Sequence, residues 1–480
     1  MAPLRHRRRI QGGFAAAVVA LALAAALPRS AIVSSAALRP NIIIILTDDQ
    51  SLDTLPSDPP AMPWLQSQIF ASPGEGWRWF PNAILSTPLC CPSRATILTG
   101  RFAHHTGVEG NGDGASFDAS QTLATWLSAA GYRTGLFGKY LNGYPWGRGP
   151  FVPPGWSRFV GKSNRDRGQT YYGYEEIDQG VPLFPGDGPD AYATDHFADL
   201  TVTFLETAPA DQPYFAMYTP SAPHDPWLPA PRDVGAFAAT PVPSPSRRLY
   251  NDVRGKPRWI RERPPVTHRL AATYRAQRRR ERATLLAVDD AVRRIVETVK
   301  TRGELDRTVI FFLTDNGYAF GEHRWHGKKC AYEPCIRTPF AVLAPWSGPS
   351  VVPQLVSNLD LAATITDLAG VAPGLPQDGG SLATLLGAPA AAPSPERERG
   401  VLIEWAGDAE VPAWRGVRTP DLVYIENADG TMELYDLGGR LGPADPDQLH
   451  NVAGLTRYAV VRRALEDALV RLASGGGDAG

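Results

Sequence analysis

"NIIIILTDDQ", Asn41 to Gln50, runs four isoleucines and a leucine together without a polar interruption. A strand with one wet face alternates apolar and polar residues. This one does not, so it reads as a strand covered on both faces, the habit of a parallel sheet flanked by helices. It ends Leu46-Thr47-Asp48-Asp49. Far along the chain, "TVIFFLTDNG", Thr308 to Gly317, has the same character and ends Leu313-Thr314-Asp315-Asn316. Open α/β sheets bind ligands outside the carboxyl ends of their strands. If these two strands are neighbours, Asp48, Asp49, Asp315 and Asn316 meet in one crevice. Three carboxylates that close repel one another strongly unless a cation lies among them. An all-oxygen donor set calls for a hard divalent ion, Ca²⁺ first and Mg²⁺ second. Taken singly, each Asp reads more readily as a helix cap or turn residue; the matched endings favour the cation.

The segments around this pair continue the pattern. "RTGLFGKY" (Arg133–Tyr140), "YFAMYTP" (Tyr214–Pro220) and "FAVLA" (Phe340–Ala344) are short apolar runs. Helical periodicity fills the gaps at Thr122–Ala130, Thr194–Glu206 and a long basic stretch from about His268 to Lys300. Strands alternating with helices predict an α/β domain, here residues 38–388. The chain then changes character. "PAAAPSP" (Pro389–Pro395) marks a linker over 389–397. Beyond it "VLIEWA", "WRGVRTPDLVYIEN" and "TMELYDL" read as short strands, and Tyr458–Ala473 as an amphipathic helix. That predicts a smaller α+β domain over 398–474.

The amino terminus is read apart from the fold. Arg5, Arg7, Arg8 and Arg9 precede an apolar run from Phe14 to Leu27, and small residues follow. Such a run, about 14 residues, is short of the roughly 20 that span a bilayer. It predicts a secretory signal over residues 1–36 and a protein secreted, cell-surface or periplasmic after its removal. The whole chain carries 48 basic and 49 acidic residues. Losing the arginine-rich leader makes the remainder more acidic. That balance excludes bulk binding to nucleic acid, and no stable membrane span is expected. The run Arg275–Arg282 reads as a solvated helix face, with contact to a polyanion the alternative. Of the 4 cysteines, Cys330 and Cys335 are close enough in sequence to pair outside the cell, which is left open. Adjacent Cys90 and Cys91 have neither zinc-ligand spacing nor an unstrained way to pair.

Those two cysteines open "LCCPSRATILTGR", Leu89 to Arg101. Cys90-x-Pro92-Ser93-Arg94 followed by Leu98-Thr99-Gly100-Arg101 resembles the signature of the sulfatase family at every specified position. The resemblance runs from Asn41 to about Ala453. It implies an alkaline-phosphatase-like fold: a large mixed, mostly parallel sheet sandwiched by helices, with an antiparallel sheet in the smaller carboxyl-terminal domain. It implies that Cys90 is oxidised to formylglycine by a generating enzyme acting on the unfolded chain. The hydrated aldehyde then attacks a sulfate ester, and its second hydroxyl expels sulfate from the covalent intermediate. By the same resemblance Asp48, Asp49, Cys90, Asp315 and Asn316 surround the cation. Arg94 holds residue 90 and the carboxylates, Lys139 and Lys328 grip the sulfate, and His224 protonates the leaving alcohol. Lys329 adjoins Lys328, but spacing to Tyr332-Glu333 favours Lys328. His323 and His326, flanking that loop, are expected substrate contacts.

One position departs from the family. Many sulfatases carry a histidine where Leu141 stands in "GKYLN"; Asn142 or the His104–His105 pair are candidates for its role. "GKYLN", "LCCPSR", "GKPRWI" (Gly255–Ile260) and "TLLAVDDAV" (Thr284–Val292) resemble the glucosamine-6-sulfatase and heparan 6-O-endosulfatase branch. The expected partner is a sulfated small molecule or glycan. Two other readings stay open: a phosphodiester or phosphonate monoester hydrolase on the same fold, and a metal-bearing glycan-binding protein without turnover if Cys90 is not oxidised.

Overall fold

A computed structural model of the chain describes residues 39–71, 76–163, 170–346, 348–389 and 400–474. The expected signal and nearly all of the expected linker lie outside the described residues.

Asn41–Thr47 and Thr308–Thr314 are adjacent parallel strands, paired residue for residue from Asn41 opposite Thr308 to Thr47 opposite Thr314. On the other side of Asn41–Thr47 lies Tyr214–Thr219, also parallel, followed by Arg133–Gly138 and Arg158–Lys162. Ala341–Leu343 runs antiparallel beside Thr308–Thr314. Short strands extend both edges, giving a ten-stranded, mixed, mostly parallel sheet.

The unbroken isoleucine run follows from that place in the sheet. Ile42, Ile44 and Leu46 enter one core with Ile97, Leu98 and Ile365. Ile43 and Ile45 enter the other with Val288, Val292 and Ile295. Each buried Ile contributes about 1.5–3 kcal/mol, so neither face tolerates a polar residue. Helices Cys90–Thr99 and Asp360–Ala369 cover the first face. Helices Pro63–Phe70, Ala193–Glu206 and the long His268–Thr301 cover the second.

That long helix corrects the reading of its basic run. Arg278 and Arg282 are buried. Arg278 pairs with Asp53 and, at 2.6 Å, with Glu322. The acidic partners are remote in sequence, so composition alone could not reveal them.

Val401–Trp405, Trp414–Arg418, Leu422–Asn427 and Met432–Asp436 form a separate four-stranded antiparallel sheet. Helix Ala459–Ala473 packs on it. Leu402, Ile403 and Tyr435 share one buried cluster with Leu89, Trp325 and Tyr332. No described helix is long and apolar enough to cross a membrane.

Candidate active site

The strand register brings the acidic endings together. Thr47 faces Thr314, so Asp48 and Asp315 follow side by side. The Asp315 amide donates to the Thr47 carbonyl at 3.1 Å, and the Asp49 amide donates to Asp315 Oδ1 at 3.3 Å. The third strand adds its own loop, because Asp48 bridges Pro223 and donates its amide to Ala222 at 3.1 Å. His224 is the next residue.

Helix Cys90–Thr99 points its amino end at this edge. It starts two residues earlier than Pro92, the position sequence suggested. The proline sits in the first turn, where its missing N–H has no partner to lose. Residue 90 therefore lies at the positive end of a ten-residue helix, favourable for an anion. Ser93 is buried, and its hydroxyl accepts from Asn358 at 3.0 Å, a structural role. Arg94, one turn on, donates to Asp315 Oδ2 at 2.7 Å and to the Lys139 carbonyl at 2.7 Å.

Lys139 and Lys328 complete the ring. Lys139 Nζ meets Asp48 at 2.5 Å. Gly138 before it has φ +119°, and a Cβ there would come within 2.1 Å of the Thr219 carbonyl, so only glycine lets the chain turn at this point. Lys328 Nζ lies 2.7 Å from Asp49 Oδ1 and 2.8 Å from Cys90 Sγ. Lys329 instead pairs with Asp408 and Glu410 at 2.8 Å each. The Trp325 indole, donating to the Lys328 carbonyl at 2.9 Å, and a Cys330–Cys335 disulfide brace the loop on either side.

The charges are set by one another. Burial opposes ionisation of Asp48, but Lys139, His224, Arg94 and Lys328 outweigh it and hold the carboxyl well below its ordinary value. Burial opposes the charge on Lys328 too, yet Asp49, Cys90 and Asp48 raise it well above the usual lysine. Asp315 is pushed up by burial and by Asp48. The Cys90 thiol is pushed up by burial, the lysines only partly offsetting it. An unmodified thiol here is neutral and a poor nucleophile.

Do these residues fit a cation? Ligand atoms of Asp48, Asp49, Cys90 and Asp315 all lie within 4.8 Å of one another. Asn316 Nδ2 donates to Asp49 at 2.6 Å, while its Oδ1 is buried and accepts nothing. A bare carbonyl oxygen beside three carboxylates completes a hard-ion donor set. Three carboxylates also match Arg94, Lys139 and Lys328 in number. A divalent cation would therefore leave the pocket positive, as binding an anionic substrate requires.

The histidines divide. His224 stands at the rim, Nε2 3.5 Å from Asp49, and its Nδ1 is 3.0 Å from Asp225 Oδ1. Asp225, which sequence reasoning passed over, orients the ring chiefly through its backbone carbonyl, 2.8 Å from Nδ1. His326 is not in the ring of charges. It stacks on Tyr274 at 4.6 Å and meets Gln277 at 3.0 Å, and burial lowers its pKa to about 4, so it is neutral. It belongs to an aromatic wall with Trp227 and Tyr318. His323 is turned inward, 1% exposed, against Tyr332. As placed it cannot touch a substrate, which corrects that expectation.

Leu141 is buried in the core. His104 and His105 are tied to Glu404 and Asp378 at 2.8 Å, so no contact brings either to Cys90. Asn142 has a buried, unpartnered Oδ1.

A mostly parallel sheet with an acidic crevice at its carboxyl edge, faced by a helix amino terminus, defines an alkaline-phosphatase-like hydrolase. The chain belongs to the sulfatase family: the family model described as Sulfatase matches residues 40–371, and that of the N-sulphoglucosamine sulphohydrolase carboxyl-terminal region matches 321–475. It is a sulfuric ester hydrolase. It is 30% identical to the N-acetylglucosamine-6-O-sulfatase of Bacteroides thetaiotaomicron, over 89% of this chain and 85% of that one. It is 33% identical to human N-acetylglucosamine-6-sulfatase, over 86% and 81%. A solved structure in complex with its substrate D-glucosamine-2-N,6-O-disulfate superposes with TM-score 0.78 at 26% identity, covering 92% of this chain and 99% of that one.

Proposed function

We propose that the enzyme removes sulfate from a sulfated sugar, with 6-O-sulfated glucosamine units the favoured class, using residue 90 as formylglycine. The observation that carries this reading is the ring of Asp48, Asp49, Asp315, Arg94, Lys139 and Lys328 around residue 90. The glucosamine assignment is supported by the two N-acetylglucosamine-6-sulfatase relatives and the disulfated glucosamine complex.

Asp48, Asp49, Asp315 and Asn316 would hold the cation, Ca²⁺ by their all-oxygen character. When present, the cation and the hydrated aldehyde together supply a polarised sulfate and a hydroxyl nucleophile with an internal exit for sulfate. The chain's own residues do the rest. Lys139 and Lys328 neutralise charge growing on the sulfuryl oxygens. Arg94 fixes Asp315 and the backbone of Lys139, so the ring keeps its shape as charge moves. His224, oriented by Asp225, hands a proton from Nε2 to the departing alkoxide. Cys90 is wholly buried, so its oxidation must precede folding, as a generating enzyme acting on the unfolded chain requires. We further propose that residues 1–36 are a signal removed on export.

The test is the intact mass of the exported protein together with turnover of an aryl sulfate. Conversion of Cys90 replaces H₂S by O in the mass balance. A full complement of thiol in an active preparation would sink the formylglycine reading.

A further inference from the structure

One surface feature lies outside the catalytic ring. Arg247, Arg248, Arg254, Arg261 and Arg324 line a groove of about 800 Å³ in which Asp252 is the one acidic lining residue. Asp252 is shared by Arg254 at 2.6 Å and Arg248 at 3.7 Å. Among the described residues Arg247, Arg261 and Arg324 form no ion pair with a carboxylate. Arg324 is held by backbone alone, donating to the carbonyls of Arg261, Arg263 and Asn251. Its Nε is buried without a partner. Five guanidiniums against one carboxylate, in a chain whose net charge is −1, make a local positive field that Asp252 alone does not neutralise.

The groove is joined to the catalytic site by one hairpin. Strands Ala319–Phe320 and His326–Gly327 pair antiparallel, and the turn between them carries Arg324. The same hairpin leads directly to Lys328, beside Cys90. Three residues separate Arg324 from Lys328, and four steps along the chain put their Cα atoms at most about 14 Å apart. That is a reach a short oligosaccharide can cover.

We propose that this groove binds a second anionic group, sulfate or carboxylate, on the same glycan chain whose sulfate ester enters the Cys90 site. The inference rests on the sulfated-sugar reading above. Guanidinium forks suit such groups because they meet two anionic oxygens at once. The groove makes the enzyme prefer a polyanionic oligosaccharide to a single sulfated unit.

The test uses the exported full chain and the triple variant R247Q/R254Q/R261Q, all three at exposed positions, with the single R254Q as a milder control. The probe is a size-defined heparin oligosaccharide, titrated at low and high salt. Loss of three surface ion contacts raises the dissociation constant about tenfold at low salt and flattens its salt dependence. Aryl sulfate turnover and melting temperature stay as in the parent. An unchanged dissociation constant overturns the proposal. So does displacement of heparin by single-stranded DNA of equal charge at equal concentration, which would assign the groove to phosphate polyanions. If the parent turns over no sulfate ester at all, the proposed function fails, and the heparin titration still decides the groove.

Discussion

The amide of Asp315 donates to the carbonyl of Thr47 at 3.1 Å. With the Asp49 amide on Asp315 Oδ1 and the Thr314 hydroxyl on the Thr47 carbonyl, this bond links the ends of two strands remote in sequence and brings three carboxylates within reach of one ion. Any cation bound there tightens the central strand pair of the sheet, so binding and stability are linked.

That linkage gives a direct check on the donor set. At a hundredfold excess over its dissociation constant a ligand stabilises by about 2.7 kcal/mol, which moves the melting temperature of a protein this large by a few degrees. Ca²⁺ should raise the melting temperature of the parent, and a chelator should reverse it. D315N keeps the side-chain shape and loses the charge, so it should show no rise. Equal shifts in both proteins would place the ion elsewhere.

Cys90 and Cys91 are both buried and both free, but only Cys90 faces the charges. Its sulfur lies 3.5 Å from Asp48 Oδ1 and 2.8 Å from Lys328 Nζ, whereas Cys91 packs in the apolar core. C90A should abolish aryl sulfate turnover, and C91A should leave much of it. The opposite pattern in a steady-state assay would reject the assignment of the nucleophile.

His224 predicts a dependence on the leaving group. A general acid is worth about 10²–10⁴-fold, and most to an alcohol that leaves poorly. H224Q should lower kcat on a sugar sulfate by about that factor and cost far less on a nitrophenyl sulfate. D225N keeps the Asp225 carbonyl on Nδ1 and removes only the carboxylate beside it, so it should follow in the same direction with a much smaller loss. A uniform loss across leaving groups would argue against proton donation.

Much of this was legible in the chain, for identifiable reasons. The Ile and Phe runs announced strands buried on both faces, since the hydrophobic pattern responds to two cores at once. The Asp pairs could be read because they follow those strands directly. The edge strands Val181–Leu183 and Ser350–Val351, and Trp77–Trp79 next to the latter, are not legible, being two or three residues long. His323 departs from the sequence expectation for a backbone reason. His323 and Arg324 have φ of +53° and +62°, and this left-handed turn sends the imidazole inward and the guanidinium to the surface. Lys256 of "GKPRWI" is similar: buried, held by Tyr435 at 2.8 Å and the Gln448 carbonyl at 2.7 Å. It fastens its own loop to the carboxyl-terminal sheet, at Tyr435, through partners that sequence spacing does not reveal.

The loop after Asp49 carries a pH signature of its own. The Ser51 amide donates to Glu281 Oε1 at 2.8 Å, while Oε2 is buried and unpartnered. Burial, reinforced by Asp53, raises the Glu281 pKa to about 7 from its ordinary 4.5. The folded state therefore binds more protons than the unfolded one between those values, and stability must fall as pH rises through the interval. Glu281's contribution is fully present below about 4.5 and gone once the pH has passed about 7. A shift of that size corresponds to roughly 3 kcal/mol. E281Q keeps the shape of the protonated acid and cannot lose the proton. Urea unfolding should find the two proteins close in stability at pH near 5, with E281Q the more stable near pH 8. If the gap stays constant across that range, Glu281 is ionised in the fold, and the loop behind the acidic crevice is held by charge instead of by a neutral acid.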